Sequence, residues 1–216
     1  RLYGTEEDAE RVKHDGEPLI LALDMPEKAD RLEIVVDGIP YIAEDLPQVE
    51  LRVATTPSSV YAGCSDGPER TAIKSRARRL GMDQHLSCVE NPLSLCEFLA
   101  HVREADLVLM PFRNENQRLC RDLAYILASG KALLSMPHTS AALVSCAGAT
   151  ALSNFDEPRS LAGDIMDILQ EKSMQTHLEH SAVELGNSLL DREMGEGYYR
   201  MFSSLPEPVT VEKQRI

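Results

Sequence analysis

Residues 123 to 136 read LAYILASGKALLSM, a run whose period changes in the middle. Leu123, Ile126 and Leu127 recur at helical spacing, and Ser129-Gly130 offers the glycine on which helices commonly end. Ala132 to Met136 is then an apolar run of strand length. A helix that stops on glycine and passes at once into a buried strand is the repeating joint of an α/β protein, whose parallel strands are covered on both faces and so read as continuous apolar runs.

The same alternation extends in both directions. Strands are predicted at Leu19 to Leu23, Glu50 to Ala54, Leu86 to Val89, Leu107 to Pro111, Ala132 to Met136 and Thr150 to Leu152. Helices are predicted between and after them at Arg70 to Leu80, Leu93 to Glu104, Arg118 to Ser129, Thr139 to Ala147, Pro158 to Lys172, Met174 to Leu190 and Asp191 to Phe202. Leu161, Ile165, Ile168 and Leu169 share one face of the run that Pro158 opens.

Residues 32 to 46 carry two conflicting signals. Locally, Asp37-Gly38 between apolar pairs suggests a tight hairpin. Globally, a parallel crossover from Leu19 to Val53 needs a helix. The helix is the expectation, with an irregular middle at Gly38 and Pro40.

The expected architecture is therefore a Rossmann-like, three-layer α/β domain with a mainly parallel sheet over residues 18–203. Residues 1–17 are expected to be a polar N-terminal tail and 204–216 a C-terminal tail. The 216 residues and 43% hydrophobic content suffice for a substantial core. A net charge of -13 disfavours nucleic acid, which would be repelled over most of the surface. No run approaches eighteen apolar residues, so no membrane span is expected. The five cysteines, Cys64, Cys88, Cys96, Cys120 and Cys146, form no CxxC and signal neither a disulfide framework nor a metal site. They read as reduced core thiols of a cytoplasmic protein. The helix holding Arg70, Lys74, Arg76, Arg78 and Arg79 reads as a solvated basic face.

Four segments in this order resemble the C-terminal, nucleotide-sugar-binding domain of the family-four retaining glycosyltransferases, which have the GT-B fold. They are ALDMPEKAD (22–30), GCSDGPERTAIKSRARRLGMDQHLSCVENP (63–92), LCEFLAHVREADLVLMPF (95–112) and LAYILASGKALLSM (123–136). The resemblance covers roughly residues 18 to 202; a different doubly wound nucleotide-binding fold is the alternative.

The resemblance also places functional positions. Two family glutamates, one facing the donor sugar and one the ribose, fall on Gln117 and Tyr125. An amide still donates to and accepts from sugar hydroxyls, whereas a phenol does not replace a carboxylate that accepts from both ribose hydroxyls. The family's glycine turn at the diphosphate is Arg118-Leu119-Cys120 here, where side chains obstruct the close approach that glycine permits. Arg118 is a candidate phosphate partner. Of two family cations, Lys28 holds the second position and Leu23 the first. Asn91 and His138 complete the candidate contacts for a nucleotide or nucleotide sugar, His138 because it follows a strand's carboxyl end. No catalytic residue and no metal ligand is assigned.

A GT-B enzyme also needs an N-terminal half, which residues 1–17 are too short to supply. The resemblance thus implies a pseudoenzyme: a glycosyltransferase-like domain serving as a ligand-sensing or protein-interaction module of a larger protein, with protein partners or neighbouring domains. The alternatives are the donor-binding half of an active retaining glycosyltransferase and a structural or oligomerisation domain.

Overall fold

The computed structural model describes residues 17–24, 31–55, 68–89, 93–111, 121–137 and 139–188. The elements run β1 (Leu19–Asp24), α1 (Leu32–Asp45), β2 (Glu50–Thr55), α2 (Pro68–Leu80), a 3-10 turn (Asp83–His85), β3 (Leu86–Cys88), α3 (Leu95–Glu104), β4 (Leu107–Met110), α4 (Arg121–Ala128), β5 (Leu133–Ser135), α5 (Thr139–Cys146), β6 (Ala151–Leu152), α6 (Pro158–Gln170) and α7 (Lys172–Ser188). The expected helix at Asp191 to Phe202 lies outside the described residues.

The six strands form one sheet in the order β3-β2-β1-β4-β5-β6. Every pairing is parallel, with Leu21 opposite Arg52 on one side and Val108 on the other. β1 is buried at all six positions, as befits a central strand covered on both faces. Its alternate residues divide between two cores. Ile20 and Ala22 join Leu51, Val53, Leu107 and Leu109 beneath α1, α2 and α6. Leu21 and Leu23 join Val108, Met110 and Leu133 beneath α3 and α4. Each fully buried leucine or isoleucine contributes about 1.5–3 kcal/mol, so this one strand is a large share of the driving force.

α1 resolves the ambiguous segment in favour of the helix. Val35, Val36, Ile39 and Ile42 form its buried stripe, and Asp37 forms an ion pair with Arg76 of α2 rather than starting a turn. A Cβ at Gly38 would lie 3.3 Å from the Pro158 carbonyl oxygen, so the glycine admits the start of α6 against α1.

α7 crosses from one layer to the other. Leu178 reaches the first core, while Ala182 and Leu185 reach the second. Near its start, buried Gln175 donates Nε2 to the Asp106 carbonyl at 2.9 Å, and the Asp106 carboxylate accepts from the Leu19 amide at 3.0 Å. The strands' amino ends are thereby tied down on the side opposite their functional ends.

Two expectations need correction. Cys96 and Cys146 are exposed, so these two are not core thiols, whereas Cys88 is half-buried and packs against the first core. Helical period explains Cys96, because Phe98, Leu99 and Val102 take the inward stripe of α3; Cys146 is the last residue of α5. Cys64 and Cys120 lie outside the described residues. Nor is the basic helix uniformly solvated, since Arg70 is buried and Arg76 is paired.

Local electrostatics give one pH expectation. Ser94 caps α3 and Glu97 closes the capping box, the Ser94 amide donating to Glu97 Oε2 at 2.8 Å. The Ser94 hydroxyl first and its amide second lower the Glu97 pKa from the ordinary glutamate value. A depressed folded-state pKa means stabilisation present above the ordinary glutamate range and lost as pH falls through the folded value. In an NMR titration, Ser94→Ala is expected to move Glu97 back up; an unmoved midpoint refutes the assignment.

Candidate crevice at the carboxyl ends of the strands

In an open parallel sheet the first strand leaves helices on opposite faces to its two sides, and ligands bind outside the strands' carboxyl ends where that reversal occurs. Here the reversal lies between β1 and β4. Beside it sits a charged group of unusually complete burial. Arg70 is 4% and Asp24 1% exposed, and Arg70 Nε donates to Asp24 Oδ2 at 3.1 Å. The other two guanidinium nitrogens donate to Thr55 Oγ1 at 2.8 Å and to the Val89 carbonyl at 2.6 Å. One planar fork therefore gathers the ends of β1, β2 and β3, which suits arginine and not lysine. Across the reversal, the Arg31 amide donates to the Pro111 carbonyl at 2.6 Å, tying the start of α1 to the end of β4.

Tyr125 of α4 is half-buried and packs against the second core. Its carbonyl accepts from the Ser129 hydroxyl at 2.9 Å. Leu23 is fully buried in β1 and faces the second core. Lys28, Asn91, Gln117, Arg118 and His138 lie outside the described residues. They belong to the segments that follow β1, β3, β4 and β5, and each of those parallel strands ends on the same side of the sheet.

Sequence reasoning missed Asp24, Thr55 and Arg70. The available signal was a carboxylate closing the apolar run LILALD and an arginine just after Pro68 at a helix start. Farther from this site, Arg52 pairs with Glu50 within β2 at 3.1 Å and links that strand to α3 through Glu104 at 2.5 Å. Burial opposes its charge, and those two carboxylates more than offset it, raising its pKa.

No family model matches the chain, and no curated protein matches it in sequence. Solved structures do. HepE from Anabaena, in complex with UDP, is similar at TM-score 0.67 and 14% identity over 94% of this chain and 54% of that one. Sucrose-phosphate synthase from Thermosynechococcus elongatus is similar at 0.63 and 18% over 92% and 49%. The C-terminal domain of a group 1 glycosyl transferase, LpcC from Francisella tularensis, is similar at 0.60 and 10%, over 80% of this chain and 85% of that domain. This is the fold of the C-terminal half of a GT-B glycosyltransferase.

The GT-B likeness holds at identities where only the backbone architecture is shared, and the chain spans about half the length of HepE and of sucrose-phosphate synthase. No helix among the described residues is long and apolar enough to cross a membrane.

Proposed function

We propose that this chain is a glycosyltransferase-like domain that binds a nucleotide or nucleotide sugar outside the carboxyl ends of β1 and β4 without transferring the sugar, and so acts as a ligand-sensing or protein-interaction module in the cytoplasm. Tyr125 carries the reading. It occupies the position where the resemblance expects the ribose-facing glutamate, and its ring packs against the second core. A phenol held there offers one hydroxyl in place of a two-oxygen acceptor. Leu23, at the position of an expected cation, supports the same conclusion because it is wholly committed to the core. With one cation fewer, a leaving diphosphate loses electrostatic stabilisation of the kind usually worth several kcal/mol. Lys28, Arg118, Gln117, Asn91 and His138 are the proposed ligand contacts.

The reading is tested by melting the chain with millimolar UDP, GDP, ADP and their sugars while assaying donor hydrolysis. At a hundred times Kd, binding adds about 2.7 kcal/mol, a rise of roughly 5–10 °C for a chain of this size. The expected result is a rise with at least one nucleotide and no hydrolysis. Turnover identifies an active donor-binding half, and no rise with any nucleotide leaves a structural domain. The double variant Gln117→Glu/Tyr125→Glu is expected to remain without hydrolysis, because Leu23 and the Arg118-Leu119-Cys120 segment still depart from the family pattern.

A further inference from the structure

Between Lys131 and Asp156 the chain has no aspartate, glutamate, lysine or arginine, although such residues make up 26% of the whole. The stretch contains β5, α5 and β6, at one end of the sheet. For β5 the lack of charge follows from burial, since all three of its residues are buried. For α5 it does not. Ala141 and Val144 are inward residues of that helix, 1% and 2% exposed. Ala142, Leu143, Cys146 and, just past its end, Ala147 are exposed, and Leu143 at 63% is the most exposed large apolar residue among those described. A helix that covers a sheet ordinarily turns polar groups to water. α5 instead turns an apolar face outward as well as inward.

A single exposed leucine is ordinary; a neutral stretch around it is not. Other exposed apolar side chains stand among charges: Tyr41 lies under the Arg159 guanidinium at 5.8 Å, and Leu80 follows Arg78 and Arg79. Leu143 has no such neighbour in sequence, and the next exposed apolar residue along the chain, Leu152, belongs to the same uncharged stretch. Leu152 lies on β6, which closes the sheet with two residues. That strand is too short to take up another and lacks the charges that commonly guard an edge. Contact at this end of the molecule therefore falls to side chains, those of α5 first.

We propose that a second copy of this chain docks on the outward face of α5, the two copies meeting α5 to α5 about a two-fold axis. Charge selects this occupant. A molecule of net charge -13 is repelled from the acidic surface of an identical one, and a face without fixed charge lets the two approach. A cationic partner would be drawn to the acidic surface instead. The two-fold arrangement presents the same patch from both sides, so an apolar face meets its own like and the assembly closes at two copies. Asp156 and Glu157, exposed where the neutral stretch ends, keep the rim acidic in both copies. The interface does not depend on what the β1-β4 crevice binds.

The test is analytical ultracentrifugation of the 216-residue chain from micromolar to near-millimolar concentration, at low and high salt. The expected result is a reversible monomer-dimer equilibrium that tightens as salt rises, because screening removes the repulsion and leaves the apolar contact. Leu143→Glu is expected to weaken dimerisation at least tenfold while leaving the melting temperature of the dilute chain unchanged. Leu80→Glu, at the exposed end of α2, is expected to leave the dimer as it was. A chain that stays monomeric at every concentration overturns the proposal, as does a dimer indifferent to Leu143→Glu. So does a dimer that salt weakens, which would be held by opposite charges such as the basic face of α2 against an acidic one. Thermal shifts with UDP are expected to be the same in Leu143→Glu as in the parent, which separates failure here from failure at the crevice.

Discussion

Replacing Gly186 with alanine is expected to lower the melting temperature by roughly 5–10 °C and to be the most damaging single-methyl change among the described residues. A Cβ at this position would lie 2.2 Å from the Ala128 amide nitrogen and 2.6 Å from its Cα, and both are backbone atoms that no rotamer change can move aside. α7 and α4 touch here backbone to backbone. Inserting a methyl must separate the axes, at a cost of about 3 kcal/mol or somewhat more on the scale of overpacked cores. For a chain of this length each kcal/mol is about 2–4 °C. Thermal and urea unfolding of Gly186→Ala measure it; a midpoint indistinguishable from the parent's would show that α4 and α7 are not packed as described. Gly163, on α6, is the control, because nothing lies within 4 Å of the methyl that alanine would add there. That change is expected to be neutral or mildly stabilising.

Arg70→Met is expected to cost about 3–5 kcal/mol, the range for removing one member of a buried ion pair. Asp24 then loses its arginine at the edge of the core, and the Thr55 hydroxyl and Val89 carbonyl lose the donors that drew three strand ends together. Asp24→Asn/Arg70→Met is expected to be less damaging than the sum of the single changes, because the double variant strands no charge. Chemical denaturation of the three variants decides the matter. Strict additivity means that the two groups do not act as a unit. Ligand-induced melting shifts with nucleotides are expected to weaken in Arg70→Met, since the strand ends that frame the crevice are no longer held in register.

The fold was legible because parallel strands leave an apolar signature that little else imitates. LILAL, LVLM and ALLSM are too short and too uniformly apolar for amphipathic helices, and all three are central strands. The hairpin-like signal at Asp37-Gly38 gives way because its residues have tertiary uses: Asp37 for Arg76, Gly38 for the passage of α6. Charge was harder to read. A helix with five basic residues looks solvated in sequence, and period alone does not say that Arg70 is the one that turns inward to meet Asp24 from 46 positions earlier. Of the crevice, only Tyr125 among the six candidate contacts falls within the described residues, on the helix where it was expected.

The pairing of α1 with α6 has a consequence for how the chain is made. α1 ends at Asp45 and α6 begins at Pro158, so the whole stretch from 46 to 157 is synthesised between two helices that share one apolar core. At roughly 5–20 residues per second, that is roughly 6–20 s of translation. During this interval the α1 flank that α6 will cover, with Gly38 at its centre, faces solvent or a chaperone. Nascent chains halted before Pro158 are therefore the form of this protein most prone to self-associate, and release of the full α6 segment is the step after which its first layer closes.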